Sequence, residues 1–271
     1  MKQICDDFRA EVDYLYSVFK QLPNEIWAQE TGFMRWTPWD VVAHIHLFDR
    51  VSLKSAEGRE AFGQERDRLA VSFDQGKSHQ TIARENLADL GASELLDAWH
   101  ATAVELAEKF SDVDPSSRLP WFGPDMGARM FLTARFMETW SHAQAIFDLA
   151  EQARIHTDRV KHVAIIGIKT FGWTFVNREL EPPGPVPRIE LNAPSGEVWT
   201  WNKENPADCV RGDAVAFCFV VTQVRNVADT QLEVVGPIAK KWMAVAQCFA
   251  GAPVDPPLPG ARLPWHILFA K

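Results

Sequence analysis

Met130-Phe-Leu-Thr-Ala-Arg-Phe-Met-Glu138-Thr-Trp-Ser-His142-Ala-Gln-Ala-Ile-Phe-Asp-Leu149 forms the most informative segment of the chain. It reads as one long helix, with Phe131, Leu132, Phe136, Met137, Trp140, Ile146 and Phe147 spread around much of its circumference. A helix apolar on most sides is normally buried. The same helix holds Glu138 and His142 four residues apart, which places them on one face with Cβ atoms roughly 5–6 Å apart. A glutamate rarely enters a protein interior unpaired, so Glu138 requires a cation, a donor or an exposed position. A carboxylate and an imidazole so placed can converge on one metal ion at about 2 Å each.

Working back to the N-terminus, Ile4, Phe8, Val12, Leu15, Phe19 and Leu22 repeat with the helical period until Pro23 ends the run. Trp36-Thr37-Pro38-Trp39-Asp40 has the form of a helix start: Thr37 caps, Pro38 suits the first position, and Asp40 puts negative charge in the first turn. The helix it opens, over roughly 38–57, carries His44 and His46. The text from Gly58 to Gly76 is polar and mixed, broken by Gly58, Gly63 and Gly76, and a weak helix follows from about 78 into the high 80s. Ser93 can cap a helix over about 94–110 with Leu95, Leu96, Trp99, Ala103, Leu106 and Phe110 on its stripe. A loop containing Pro115, Pro120, Gly123, Pro124 and Gly127 leads into the long helix, expected over about 126–152. Four amphipathic helices with one longer crossover predict a helical bundle over residues 1–155.

After Ala153 the texture changes. Asp158 to Leu180 predicts another helix, weakened by Gly167 and Gly172, and Glu181-Pro-Pro-Gly-Pro-Val-Pro187 then breaks the chain. Arg188 to Asn192 and Glu197 to Trp201 alternate like two strands joined as a hairpin at Pro194-Ser195-Gly196. Gly212 to Gln223 is read as a buried helix, Thr230 to Val235 as a strand, and Pro237 to Phe249 as a helix. Residues 156–271 are therefore expected to form a small α+β domain.

Composition sets bounds on function. At 271 residues, 46% hydrophobic and 24% charged, the chain is ordinary for a globular protein. A net charge of −8 argues against a nucleic-acid partner, whose phosphates demand clustered Lys and Arg. No apolar run reaches the length of about 18 residues that marks a membrane helix. Asp6, Asp7 and Glu11 fall where a signal peptide has its apolar centre, so a cytoplasmic location is expected. Cys5, Cys209, Cys218 and Cys248 form no CxxC pair and are expected to be free, buried thiols.

Of the histidines, His79, His100, His156, His162 and His266 show no partner in the sequence and are read as structural or solvated. His44 and His46 are two positions apart, so on a helix they point about 200° apart and only one can face Glu138 and His142. His44 is in phase with Val41 and Phe48 on the inward face, and His46 lies nearer Arg50; the reading selects His44. His44, Glu138 and His142 offer two imidazoles and one carboxylate, the ligand type of catalytic zinc sites with an open fourth position. The plain alternative is Glu138 salt-bridged to Arg135 one turn away, with His142 hydrogen-bonded.

Trp36-Thr-Pro-Trp-Asp-Val-Val-Ala-His44, followed by Arg135-Phe-Met-Glu138-Thr-Trp-Ser-His142, resembles the DinB-like superfamily and, more closely, its branch containing mycothiol-dependent maleylpyruvate isomerase. Arg188-Ile-Glu-Leu-Asn-Ala-Pro-Ser-Gly and Gly212-Asp-Ala-Val-Ala-Phe-Cys, followed by Arg225, are similar to that branch's C-terminal domain, which is related to sterol-carrier-like folds. The resemblance implies an α+β multidomain protein, a DinB-like four-helix bundle followed by a small α+β domain. It implies that His44, Glu138 and His142 hold Zn2+ or another divalent metal, and that Arg225 is a functional arginine able to grip a substrate carboxylate. It further implies a low-molecular-weight thiol as cofactor. Two positions depart from the family pattern: Val224 stands where a Gly more often precedes the Arg, and Ala145 where related chains often carry an acid.

The activity so implied is that of a thiol-dependent isomerase or transferase acting on a small carboxylate-bearing substrate. For the isomerase type, a thiolate adds to a cis double bond, the adduct rotates, and elimination gives the trans product. A metal-dependent hydrolase would use water with the same ligands, and a non-catalytic ligand-binding protein would hold the metal as a structural ion. Small molecules are the expected partners, with no nucleic acid and no membrane, and the chain is expected to act as a monomer or homodimer. Trp36, Trp39 and Trp140 are candidate walls of the pocket, although each first suits the core.

Overall fold

A computed structural model describes residues 1–205 and 207–262 of the chain; His266 lies outside them. The chain divides into two compact units, Met1–Ala150 and Glu151–Lys271, a break slightly before the one expected after residue 155. Among the described residues no helix is long and apolar enough to cross a membrane.

In the first unit the elements are α1 (Lys2–Phe19), α2 (Pro38–Glu57), α3 (Arg59–Asp74), α4 (His79–Leu87), α5 (Ala92–Ser111), the short strands β1 (Arg118–Leu119) and β2 (Met126–Gly127), and α6 (Ala128–Leu149). Helices α1 and α2 each pack against both α5 and α6, which makes the bundle, while α3 and α4 lie on α2 and fill the crossover. α1 buries Ile4, Phe8, Val12, Leu15 and Phe19, the stripe its period predicts. α6 buries residues on nearly every side, including Phe131, Phe136, Trp140 and Phe147. Each such side chain contributes about 1.5–3 kcal/mol on burial.

Local chemistry sets where α2 begins. Thr37 Oγ1 accepts from the Asp40 backbone N–H at 3.2 Å, and Asp40 Oδ2 accepts from the Thr37 N–H at 2.9 Å, so the two residues close a reciprocal cap. α3 corrects the reading of 58–76 as broken polar text. Gly63 sits inside that helix with open space around it, and the helix buries only Phe62 and Leu69, a stripe too thin to register as a period. α5 likewise starts two residues early: Glu94 reaches back to the Gly91 N–H at 2.9 Å, and Ser93 is not the cap.

The second unit comprises α7 (Lys161–Lys169), α8 (Phe171–Val176), β3 (Arg188–Asn192), β4 (Val198–Trp201), β5 (Cys209–Asp213), α9 (Ala214–Val221), β6 (Glu233–Val235) and α10 (Pro237–Val245). Its sheet has the order β4-β3-β5-β6. β3 and β4 form the expected antiparallel hairpin, with Ile189 opposite Trp201 and Asn192 opposite Val198. β5 runs parallel to β3, and β6 antiparallel to β5.

Two expectations are corrected here. The single helix over 158–180 is two helices that meet at Thr170, whose hydroxyl donates back to the Ile166 carbonyl at 2.7 Å. The stretch from Gly212 is the end of a strand followed by a helix, with Asp213 at the junction accepting from the Ala216 N–H at 2.8 Å. Every residue of α9 is buried. α7 packs on it through Gly167, where an added Cβ would stand 2.7 Å from a Val221 methyl. All four cysteines are buried, and among the described residues none is joined in a disulfide.

Candidate metal centre

The long apolar helix and the capped helix bring their polar residues together. One ligand atom from each of His44, Glu138 and His142 lies within 4.8 Å of the others. His142 Nε2 and Glu138 Oε2 are 3.1 Å apart, and the His44 and His142 ring centres are 4.7 Å apart. Donors on a tetrahedral zinc at about 2.1 Å stand about 3.4 Å from one another, so small side-chain rotations close the set around an ion. The chemistry of the donors fits as well. His44 Nδ1 is buried with no hydrogen-bond partner among the described residues. Burial, and then the like charge of His142 and His79, hold the His44 pKa well below its ordinary value, so its imidazole is neutral and keeps a lone pair to give.

Glu138 is held ionised. Burial opposes its charge, but the hydrogen bond and charge of His142, with Arg135 and His79 behind, outweigh it and lower its pKa. The plain alternative, a Glu138–Arg135 pair, does not form. Arg135 turns to Asp49, 3.0 Å away, and to the Ile45 carbonyl at 3.3 Å. Asp49 also accepts from Trp99 Nε1 at 3.2 Å. This buried ion pair joins α2 to α6, the two helices that carry the ligands.

His46 faces away, as helix geometry requires, and lines a separate groove with Arg50 and Lys54; burial lowers its pKa to about 4. The turn before α2 roofs the site. Trp36 stacks on His142 with ring centres 5.9 Å apart, and Phe33 meets His142 edge-on at 5.0 Å. That turn holds Met34 and Arg35 at φ of 49° and 59°, in the left-handed region. Of the other two candidate walls, Trp39 donates to the Leu90 carbonyl at 3.0 Å and Trp140 is fully buried in the bundle.

Three residues at the site were not selected from the sequence: Phe48, Phe73 and His79. The His79 ring stands 5.8 Å from that of His44 and rests on Phe73 at 5.0 Å and Phe48 at 5.7 Å. Partial burial lowers its proton affinity against the opposing charge of Glu138, while the residue as a whole is exposed. Its one sequence signal is local: it follows Ser78, which caps α4 by accepting from the Thr81 N–H at 3.1 Å. Arg225 belongs to the second unit. It follows α9, is fully buried, donates to the Val224 carbonyl at 3.0 Å, and lies over the Phe219 ring at 5.4 Å.

A helical bundle whose facing helices present two imidazoles and a carboxylate to one point is the design of a DinB-like protein. Residues 8–147 match the model of the mycothiol maleylpyruvate isomerase N-terminal domain, and the chain belongs to that family. Two uncharacterized proteins of Mycobacterium tuberculosis, from two strains, are each 34% identical to it over 247 residues, which is 91% of this chain and 95% of theirs. The fold is similar to the crystal structure of the mycothiol-dependent maleylpyruvate isomerase, with a TM-score of 0.51 and 11% identity over 80% of this chain and 87% of that one. A histidine-to-alanine mutant of that isomerase gives a TM-score of 0.50. At this identity the likeness to the solved structures speaks of the fold alone.

Proposed function

We propose that the protein is a zinc-dependent, thiol-dependent isomerase or transferase acting on a small carboxylate-bearing substrate. The observation that carries the reading is the convergence of His44, Glu138 and His142 from two facing helices in a chain of this family. A divalent ion bound there would lower the pKa of a thiol or water at its open position, so that a nucleophile exists at neutral pH.

The chain's own residues supply the rest. Neutral His44 gives a lone pair, His142 offers a second imidazole nitrogen, and ionised Glu138 gives the negative charge that favours a cation over a proton. Trp36 and Phe33 cover His142 and exclude water from that side, which strengthens every electrostatic contact beneath them. Arg225 is assigned the substrate carboxylate. Its charge is permanent and its planar fork matches two carboxylate oxygens.

Metal content tests the reading. Wild-type protein purified without chelator should hold zinc, and His44→Ala, Glu138→Gln and His142→Ala should each lose it. Cis–trans isomerisation of maleylpyruvate should then require both mycothiol and the three ligands, and Arg225→Met should raise KM more than it lowers kcat. Turnover of esters without thiol would instead make the protein a metal-dependent hydrolase. Retention of metal by all three variants would refute the site.

A further inference from the structure

Beside the three donors stands a fourth imidazole, on an element outside the bundle. We infer that His79 serves as a displaceable fourth ligand to the ion held by His44, Glu138 and His142, an inference that rests on the metal reading above. Imidazoles on one tetrahedral ion have nitrogens about 2.1 Å from it and ring centres about 3.2 Å from it, which puts the ring centres about 5.2 Å apart. The His44–His142 spacing of 4.7 Å and the His44–His79 spacing of 5.8 Å straddle that value. The cluster of donors within 4.8 Å of one another does not include His79, so its ring has to turn toward the others to join them.

What would have to move is a side chain, not a helix. His79 is the first residue of α4, and that end of α4 is hooked to the start of α2. Asp40 accepts from Gln80 at 2.8 Å and from Arg84 at 2.5 and 2.8 Å. Those charge-assisted bonds hold the backbone. The ring itself meets the rings of Phe73, Phe48 and His44, and among the described residues no hydrogen bond fixes its nitrogens. His44 is buried and the Glu138 and His142 side chains are mostly covered, whereas His79 is exposed, so it is the member that an incoming thiol or substrate can displace. His79 then closes the coordination sphere while the enzyme rests and opens it on binding.

The test is titration of metal-free protein with Co2+, followed by visible absorption, because four-coordinate Co2+ absorbs much more strongly than ions of higher coordination. Wild type is compared with His79→Ala and with His79→Phe, which keeps the ring contacts and removes the nitrogens. Both variants should bind one Co2+ at least about tenfold more weakly, with a weaker and shifted spectrum. Wild-type affinity and spectrum in both variants would overturn the inference and leave the three-residue site standing. Weaker binding with an unchanged spectrum overturns it too, since His79 would then act by packing. A wild type that binds no Co2+ overturns this inference and the metal reading together.

Discussion

Replacing Arg135 with Met should destabilise the first unit by an amount that depends on pH. Asp49 is fully buried, and Arg135 is 4% exposed. Even with Arg135 and Trp99 opposing it, burial raises the Asp49 pKa above the ordinary carboxylate value. Without the guanidinium the carboxylate either stays charged and unpaired in the core or takes up a proton. Protonation sets the ceiling. It costs about 1.4 kcal/mol for each pH unit above the unfolded value of about 3.9, hence about 4 kcal/mol at pH 7 and about 1.5 kcal/mol at pH 5. Breaking a buried pair by removing one partner generally costs about 3–5 kcal/mol, the same range. Because the variant's folded pKa lies above its unfolded one, the loss is absent below the unfolded pKa and grows as pH rises. Urea unfolding at pH 5 and pH 7 measures it, using the transition that responds to the substitution, since the two units can unfold separately. The double variant Asp49→Leu/Arg135→Met removes both charges and should recover most of the loss. Equal destabilisation at the two pH values, or a double variant as unstable as the single, would refute the reasoning.

Three further outcomes follow from the same structure. Zinc at about a hundred times its Kd should add about 2.7 kcal/mol to the stability of the wild type, read as a rise in Tm, and should leave Glu138→Gln unchanged. Gly167→Ala drives a methyl to 2.7 Å from Val221, whose branched side chain is stiff in a helix; a loss of about 1–3 kcal/mol is expected on denaturation, and a neutral result would mean that α7 can move off α9. Burial, followed by the charge of Arg154, holds the His156 pKa well below its usual value. The unfolded chain therefore takes up a proton there that the folded chain refuses, and stability falls as pH drops through about 6.5. His156→Leu should flatten that acid limb; an unchanged pH profile of Tm would show that His156 does not cause it.

Much of the bundle was legible in the sequence because its signals are local or one-dimensional. A helix apolar on most sides, as α6 is, announces burial whatever its neighbours are, and a Thr-Pro-x-Asp start specifies α2 through bonds within a single turn. The i, i+4 spacing of Glu138 and His142, and the opposed directions of His44 and His46, follow from helix geometry alone. What was not legible depends on contacts between distant residues. His79 reaches the site because Gln80 and Arg84 bind Asp40, forty positions earlier in the sequence. β5 was hidden because its parallel partner is β3, from which β4 separates it in the sequence, and its own five residues carry no clear alternation.

Arg135 shows most plainly how proximity in sequence misleads. One turn from Glu138, it looks like that residue's partner, yet it pairs with Asp49 across the helix interface. The fully buried carboxylate has the greater need, because Glu138 keeps part of its side chain open and already bonds His142. That choice bears on the site. Asp49 stands little more than a turn beyond His44 on α2, and Arg135 stands one turn before Glu138 on α6. Sliding one helix past the other by a single residue shifts them by about 1.5 Å, enough to spoil the short contact between Asp49 and Arg135 and weaken a pair buried in the core. The buried pair therefore favours the offset at which it is well made, and the same offset brings His44 opposite Glu138 and His142.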